Sequence, residues 1–371
     1  MQINNKFNYY NKSHKDYKMK RFLKLILYLA GLLIILLAVF LLVISVRDYQ
    51  PPPEEVLFRS GDNEPVIDTN KVYNIMTWNI GYGGLGKDMD FFYDGGSGVR
   101  PERDIFHQNI DQIIHLLYKA NKIDFCFLQE VDIHSKRSYY LNQYEVMQAR
   151  LDYVHYAFAR NYDVLFVPVP LFRPMGRVMS GQVSMSEFIP TESVRYSFPG
   201  NYPWPKGLFL LDRCFILERY LIRGGKELVL INTHNSAYDD GSLRREQLDI
   251  LLGIMEEEYA RGNYVVAGGD WNMNPPGFDP SAIYTGDASK VVEPVIKEDF
   301  FPADWTIAFD PEVPTNRDLD QTYFRGSTRT TVIDYFVCSP NVDVIETSGI
   351  TLMFEQSDHN PVMMQFTFRR Q

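Results

Sequence analysis

The strongest hydrophobic signal in the chain is also its simplest. Over residues 25–46 no charged residue interrupts 22 positions. As an α-helix rising about 1.5 Å per residue, such a run covers about 33 Å, enough to cross the hydrocarbon core of a bilayer. Nothing in it is polar enough to give an amphipathic face for docking on a soluble core. It is long for the apolar region of a cleaved signal, and it has neither a lipobox cysteine nor an obvious small-x-small cleavage site. The run therefore predicts a retained transmembrane signal anchor. Residues 48–68, with Pro51, Pro52, Pro53, Pro65 and several acids but little periodicity, read as an extended tether.

From Val72 onward the pattern becomes regular. Short runs of β-branched and aromatic residues alternate with helical stretches and Gly/Pro/Asn/Asp punctuation, which is α/β organisation. Strands are expected at 72–79, 123–130, 228–234, 264–270, 331–338 and 362–368. Ile105, Ile110, Ile113, Ile114 and Leu117 fall at helical spacing, as do Leu248, Leu251, Leu252 and Met255 behind the charged Arg244, Arg245 and Glu246. The stretch 164–207 differs. Its prolines, from Pro168 to Pro205, interleave with Phe166, Phe172, Phe198, Tyr202 and Trp204, and proline at that density is incompatible with a central strand or helix over much of the length. Long loops with exposed aromatics are expected there, of the kind that form recognition surfaces. The resulting domain plan is a basic cytoplasmic tail (1–24), a transmembrane anchor (25–46), a Pro-rich linker (47–69) and a catalytic domain (70–371).

Charge sharpens this plan. The chain carries a formal net charge of -10, but residues 1–47 hold Lys6, Lys12, Lys15, Lys18, Lys20, Arg21, Lys24 and Arg47 against the single acid Asp16. That segment is +7 and the remainder -17. Bases crowded before the apolar run leave the N-terminus in the cytoplasm by the positive-inside rule, so the body is exported to the periplasm or cell exterior. A body this acidic has no bulk electrostatic reason to bind nucleic acid, whose backbone rewards clustered positive charge. Cys126, Cys214 and Cys338 are too few and too dispersed for a disulfide framework, no CxxC pair exists, and each lies in an apolar run as a core residue would.

Candidate chemistry gathers at strand ends. Four expected strands finish on a polar side chain: Asn79, Glu130, His234 and Asp270. Strand ends opening onto loops are where α/β folds collect ligand groups, so these four are candidates for one rim. Any one alone is as well explained as a turn or capping residue. Asp334 stands inside an otherwise apolar strand, where a carboxylate needs a partner to offset desolvation. Asp358 and His359 sit side by side before the final strand, and an imidazole whose other nitrogen is held by a carboxylate serves as an acid or base near neutral pH. Asp334 is the natural carboxylate for His359. Gly81, Gly83, Gly84 and Gly86 lack Walker A spacing and read as a flexible connection. Trp271 reads as packing, and His107, His115, His134 and His155 as surface or core residues.

Taken together, Trp78-Asn79, Gln129-Glu130-Val131, Thr233-His234, Gly269-Asp270-Trp271-Asn272, Ile333-Asp334-Tyr335-Phe336 and Ser357-Asp358-His359-Asn360-Pro361 resemble, in order, the motifs of the endonuclease/exonuclease/phosphatase superfamily. That group includes pancreatic-type deoxyribonucleases, abasic-site endonucleases, inositol polyphosphate 5-phosphatases and neutral sphingomyelinases. The motifs span about residues 70 to 370. Asn235 after the Thr-His pair departs from the hydrophobic residue often found there. The resemblance implies an α/β four-layer sandwich of two mixed β-sheets flanked by helices, and metal-dependent cleavage of a phosphate ester. It implies that Glu130, Asn79 and Asp358 serve Mg2+, or Mn2+ in its place, as hard oxygen donors. It further implies that His359, oriented by Asp334, deprotonates the attacking water, that Asp270 positions the nucleophile or handles a proton, that Asn272 contacts a phosphoryl oxygen, and that His234, if protonated, counters transition-state charge.

The anchor and the charge then order the substrates. An acidic body tethered beside a bilayer meets lipid head groups at high effective concentration and polyanionic nucleic acid against repulsion. The leading expectation is a membrane-anchored phosphodiesterase, sphingomyelinase-like, acting on a phospholipid or sphingolipid head group, with Trp204 and its neighbours entering the headgroup layer. An extracytoplasmic endonuclease or other phosphoesterase is the alternative, and a non-catalytic anchored binding module ranks below both.

Overall fold

The computed structural model describes residues 2–61, 64–119, 123–237, 239, 241–283 and 294–369. It divides into two compact units, Met1–Asp48 and Tyr49–Gln371. The first is one helix, α1 (Gln2–Val46), whose segment Tyr17–Val46 is long and apolar enough to cross a membrane. The expected tail and anchor are thus continuous in secondary structure.

The second unit is mixed α/β. Its strands are β1 (Glu54–Arg59), β2 (Tyr73–Asn79), β3 (Phe125–Asp132), β4 (His155–Val167), β5 (Gly176–Ser186), β6 (Glu192–Ser197), β7 (Cys214–Leu221) and β8 (Glu227–His234). They continue with β9 (Tyr264–Asp270), β10 (Thr306–Ala308), β11 (Asn316–Arg317), β12 (Thr330–Thr331), β13 (Asp334–Cys338), β14 (Val342–Gly349) and β15 (Val362–Phe368). Three helices join them: α2 (Arg103–Lys119), α3 (Gln143–Arg150) and α4 (Ser242–Ala260). One sheet has the order β1-β6-β7-β8-β9-β13-β10, the other β14-β15-β2-β3-β5-β4, and β11 pairs with β12 alone.

Period-2 alternation explains the layering. Tyr73 and Ile75 on β2, Phe125 and Phe127 on β3, Leu228 and Leu230 on β8, and Phe336 and Cys338 on β13 enter one core between the sheets. Their alternate neighbours face outward. Met76, Trp78, Cys126 and Leu128 pack with Phe106, Ile110 and Ile113 of α2 and Met147 of α3, while Val229, Ile231, Val265 and Ala267 pack with Leu248, Leu251 and Met255 of α4. The four-layer sandwich expected from the sequence is therefore present, and all three cysteines are free and buried.

Two expectations need correction. The segment 47–69, expected to be linker, contains β1, an edge strand antiparallel to β6; its acids and its prolines just upstream suit an edge position. The stretch 164–207 is not loop over most of its length either. Pro168, Pro170 and Pro174 end just before β5 and Pro190 begins after it, so the prolines bracket a strand that pairs with both β3 and β4.

The sheet centre is intolerant of added atoms. Gly269 has φ +146°, and a Cβ there would stand 1.9 Å from the Thr233 carbonyl oxygen. Gly253, on the exposed face of α4, has open space around it. Unfolding of the detergent-solubilised chain should therefore separate two formally identical changes: Gly269→Ala costs roughly 3 kcal/mol through backbone displacement, whereas Gly253→Ala stabilises by about 1 kcal/mol through helix propensity. Equal effects from both would contradict the packing described.

Candidate active site

Strand register brings the catalytic candidates together before any side chain is considered. Parallel pairing of β8 with β9 sets His234 opposite Asp270, and antiparallel pairing of β9 with β13 sets Asp270 opposite Asp334. On the other sheet Asn79 is level with Gln129. The register of β3 against β5 slips between Leu128 and Val131, and Glu130 takes φ +56°. This bulge, with a non-glycine residue in the left-handed region, re-aims the strand end where Glu130 stands. A polar rung ties the two sheets beside it: Gln129 Nε2 donates to Asn232 Oδ1 at 2.8 Å.

The loop before β15 closes the cluster. Ser357 Oγ donates to the Asn79 carbonyl oxygen (2.8 Å) and Trp78 Nε1 to the His359 carbonyl oxygen (3.0 Å). Far from being a flexible connection, Gly81 to Gly83 form a buried turn. Gly81 has φ +48°, and a Cβ there would meet Asp358 Oδ1 at 2.7 Å, so this position needs glycine both for conformation and for room.

Within this frame His359 Nδ1 donates to Asp334 Oδ2 at 2.8 Å, both residues buried. Asn79 is the hub: its Nδ2 lies 3.0 Å from Asp270 Oδ2, 3.4 Å from Glu130 Oε1 and 3.5 Å from His359 Nε2. Its Oδ1 accepts from the Gly81 amide (3.0 Å). Asn272 takes φ +52°; its backbone amide donates to Asp270 Oδ1 (3.0 Å) and its Nδ2 to the Asn235 carbonyl oxygen (2.9 Å). The unusual Asn235 side chain accepts from Thr233 Oγ1 (2.6 Å), so its polarity serves the turn that holds Asn272. Trp271 packs as expected, stacked on Tyr335 with its Nε1 donating to that residue's carbonyl oxygen.

Electrostatics set the protonation states. Burial acts against the charged form of His359, but Asp334, Asp270 and Asp358 together outweigh it and push its pKa up to about 10. Burial first, then the Asp334 charge, raises Asp270 to about 6 against the lowering effect of His359. Burial also raises Asp358, with Glu130 adding to the shift. His234 moves the other way: burial, Arg213 and His359 hold it well below the usual imidazole value. The condition on which His234 would counter charge, a protonated ring, is thus disfavoured by its surroundings; the ring lies 3.4 Å from Asp270 Oδ2.

The donor set fits a divalent cation. Glu130 and Asp358 are two hard anionic donors, the charge of the first adding to the raised pKa of the second, which suits a hydrated Mg2+-like ion. As oriented, Asn79 turns its amide nitrogen toward the carboxylates, so a metal role for it rests on the second lone pair of Oδ1. Asp270, Asp334 and His359 offer a further grouping, with ligand atoms within 4.8 Å of one another, although Asp334 already holds His359 Nδ1.

Sequence reasoning missed two site residues. Asn316, on the short β11, lies with Nδ2 2.9 Å from His359 Nε2 and is bridged to His359 through the backbone. When Nε2 is a lone pair the Asn316 amide presents nitrogen; when Nε2 carries a proton it must present oxygen. Arg244, named in the sequence only as a charged residue ahead of the apolar positions of α4, pairs with Asp239 at 2.6 Å and donates to the Asn272 carbonyl oxygen (3.3 Å). A two-residue strand has no periodicity to betray the first, and helical spacing disguised the second.

These groups open on a cavity of about 610 Å3 that is also lined by the apolar Leu85, Phe91, Tyr162, Met175 and Leu211 and by the cationic Arg137, Arg213, Arg317 and Arg329. Asn79, Glu130, His234, Asp270, Asn272, Asp358 and His359 all line it, and Asp334 lies behind His359. The family model described as the Endonuclease/Exonuclease/phosphatase family matches residues 76–359. The chain belongs to the endonuclease/exonuclease/phosphatase family. Solved structures agree in fold. An endonuclease/exonuclease/phosphatase from Beutenbergia cavernae DSM 12333 is 20% identical with a TM-score of 0.50, covering 80% of this chain and 72% of that one. An endonuclease/exonuclease/phosphatase family protein from Bacteroides thetaiotaomicron is 15% identical with a TM-score of 0.50, covering 80% and 95%. A search of curated proteins returned no match.

The charge balance around this family's His-Asp pair can be measured directly. In chelator-treated protein, NMR titration of the His359 ring should give a pKa well above 6.5, and Asp334→Asn should lower it by at least about one unit through loss of the nearest anion. A raised imidazole pKa contributes stability that is complete below about pH 6.5 and is lost as pH rises toward 10. An unperturbed value in the parent protein would contradict the arrangement.

Proposed function

We propose that the chain is a membrane-anchored, divalent-metal-dependent phosphodiesterase that releases the phosphorylated head group of a phospholipid or sphingolipid. The observation that carries the reading is the convergence of six separate motifs on one cavity with a His359–Asp334 pair at 2.8 Å. Such a pair supplies a base whose orientation is fixed. A bound cation would offset part of the Asp270 and Asp358 charge that raises the His359 pKa, leaving Nε2 able to take the proton of the attacking water while Asp334 holds Nδ1, and Asp270 with Asn79 orients that water. Asn272 and the neutral His234 hydrogen-bond the phosphoryl oxygens. A divalent ion held by Glu130 and Asp358, with Asn79 beside them, would neutralise charge on the phosphoryl group. Mg2+ suits the all-oxygen donors, with Mn2+ as a substitute.

Three features favour a lipid over the alternatives. The cavity lining includes the apolar Leu85, Phe91, Tyr162, Met175 and Leu211 beside its arginines, the described residues include one helix able to cross a membrane, and the body outside the basic tail is strongly acidic. The orientation with the N-terminus in the cytoplasm follows from the bases preceding the helix.

The test is a head-group release screen with the full-length chain across phosphosphingolipids, glycerophospholipids, inositol phosphates and plasmid DNA, with Mg2+ and with chelator. Lipid turnover that chelator abolishes and His359→Ala reduces by about 10³-fold or more is the expected result. Turnover of DNA alone, with steep salt dependence, would replace the lipid reading by a nuclease.

A further inference from the structure

The apolar residues lining the cavity belong to a larger cluster. Tyr162, Val164 and Val167 on β4 and Met175 and Val178 at β5 form one buried cluster, against which Phe209 and Leu211 pack. Tyr162, Met175 and Leu211 face the cavity. The same two strands run past the cluster into a hairpin tip, and there the apolar residues emerge into solvent: Phe172 is 94% exposed and Leu171 78%. Leu165 and Val169 are also exposed on this hairpin. A second loop is joined to the base of this hairpin, where the Tyr162 hydroxyl donates to the Phe209 carbonyl oxygen (2.9 Å). It carries Trp204, 65% exposed, and Lys206, whose ammonium lies 4.2 Å from the centre of the Tyr202 ring.

Large apolar side chains left uncovered at a loop tip cost solubility unless something covers them. We propose that the β4–β5 hairpin tip, led by Leu171 and Phe172, is a docking surface that inserts into the headgroup layer of a phospholipid bilayer, with the exposed Trp204 loop as a second contact. Three facts select a bilayer over a protein partner. The tip joins aliphatic and aromatic residues to the neighbouring bases Arg173 and Lys206, the composition favoured at a membrane interface. The chain itself carries an apolar helix of membrane-spanning length. The base of the hairpin carries Tyr162 and Met175, which belong to one buried cluster and also line the catalytic cavity, so the exposed tip and the cavity are borne by the same pair of strands. Because the body is strongly acidic, insertion rather than charge attraction carries the docking. The inference deepens the proposed lipid-directed function, but its principal test does not depend on catalysis.

The native cysteines are all buried, so a cysteine placed at the surface labels selectively. Phe172→Cys in the full-length chain, carrying an environment-sensitive fluorophore and reconstituted into phosphatidylcholine vesicles, should be quenched by doxyl-labelled lipid. The control is Ile345→Cys. Ile345 is 52% exposed on β14, which lies at the opposite edge of the sheet from β4. Quenching several-fold stronger at position 172 than at position 345 supports the docking surface; equal quenching overturns it. In the same vesicles Phe172→Asp combined with Leu171→Asp should lower the ratio of vesicle-lipid turnover to turnover of a water-soluble aryl phosphodiester about tenfold, with an unchanged melting temperature. Strong quenching without turnover of any lipid would uphold the docking surface and remove the lipid-substrate reading. Lipid turnover with no selective quenching would do the reverse.

Discussion

Glu130, Asp270, Asp334 and Asp358 are held around one histidine at a cavity lined in part by apolar residues, and like charges so placed repel while losing their hydration. The described residues offset this only in part. Asn79 turns its amide nitrogen to Asp270 and Glu130, His359 is driven toward its charged form, and the buried Arg317 guanidinium attracts Asp358 from among backbone carbonyls. A poorly compensated anion out of water costs several kcal/mol, so a cation bound between Glu130 and Asp358 would stabilise the fold. The proposed cation binding and phosphoester chemistry rest on that single electrostatic constraint.

The architecture serves that constraint by presenting two sheets with their polar strand ends on the same side. Register alone aligns His234, Asp270 and Asp334 across three strands. Irregularity does the rest: on the other sheet the bulge at Glu130 and the Gly81 turn, and after β9 the left-handed Asn272, each use an uncommon backbone conformation to place one group. These are the positions where local preference and function disagree, which is the usual signature of a working site.

Much of this was legible in the sequence because strand-end chemistry and period-2 alternation leave strong marks. Each strand expected at 72–79, 123–130, 228–234, 264–270 and 362–368 has its counterpart, and 331–338 splits into β12 and β13. β5 was obscured because its flanking prolines were read as a property of the whole stretch, and β1 because an edge strand of six residues looks like tether. The protonation of His234 could not be read at all, since it depends on burial and on Arg213 from another strand's approach. Asn316 was hidden for a similar reason, its meaning arising only from proximity to His359.

The central claim, that this carboxylate cluster is a cation site, is tested most directly by calorimetric titration of Mg2+ into the full-length, chelator-treated chain in detergent. Saturable binding that raises the melting temperature, and that both Glu130→Gln and Asp358→Asn weaken at least tenfold, is the result the electrostatics require. Absence of binding, or binding untouched by either substitution, would contradict the account.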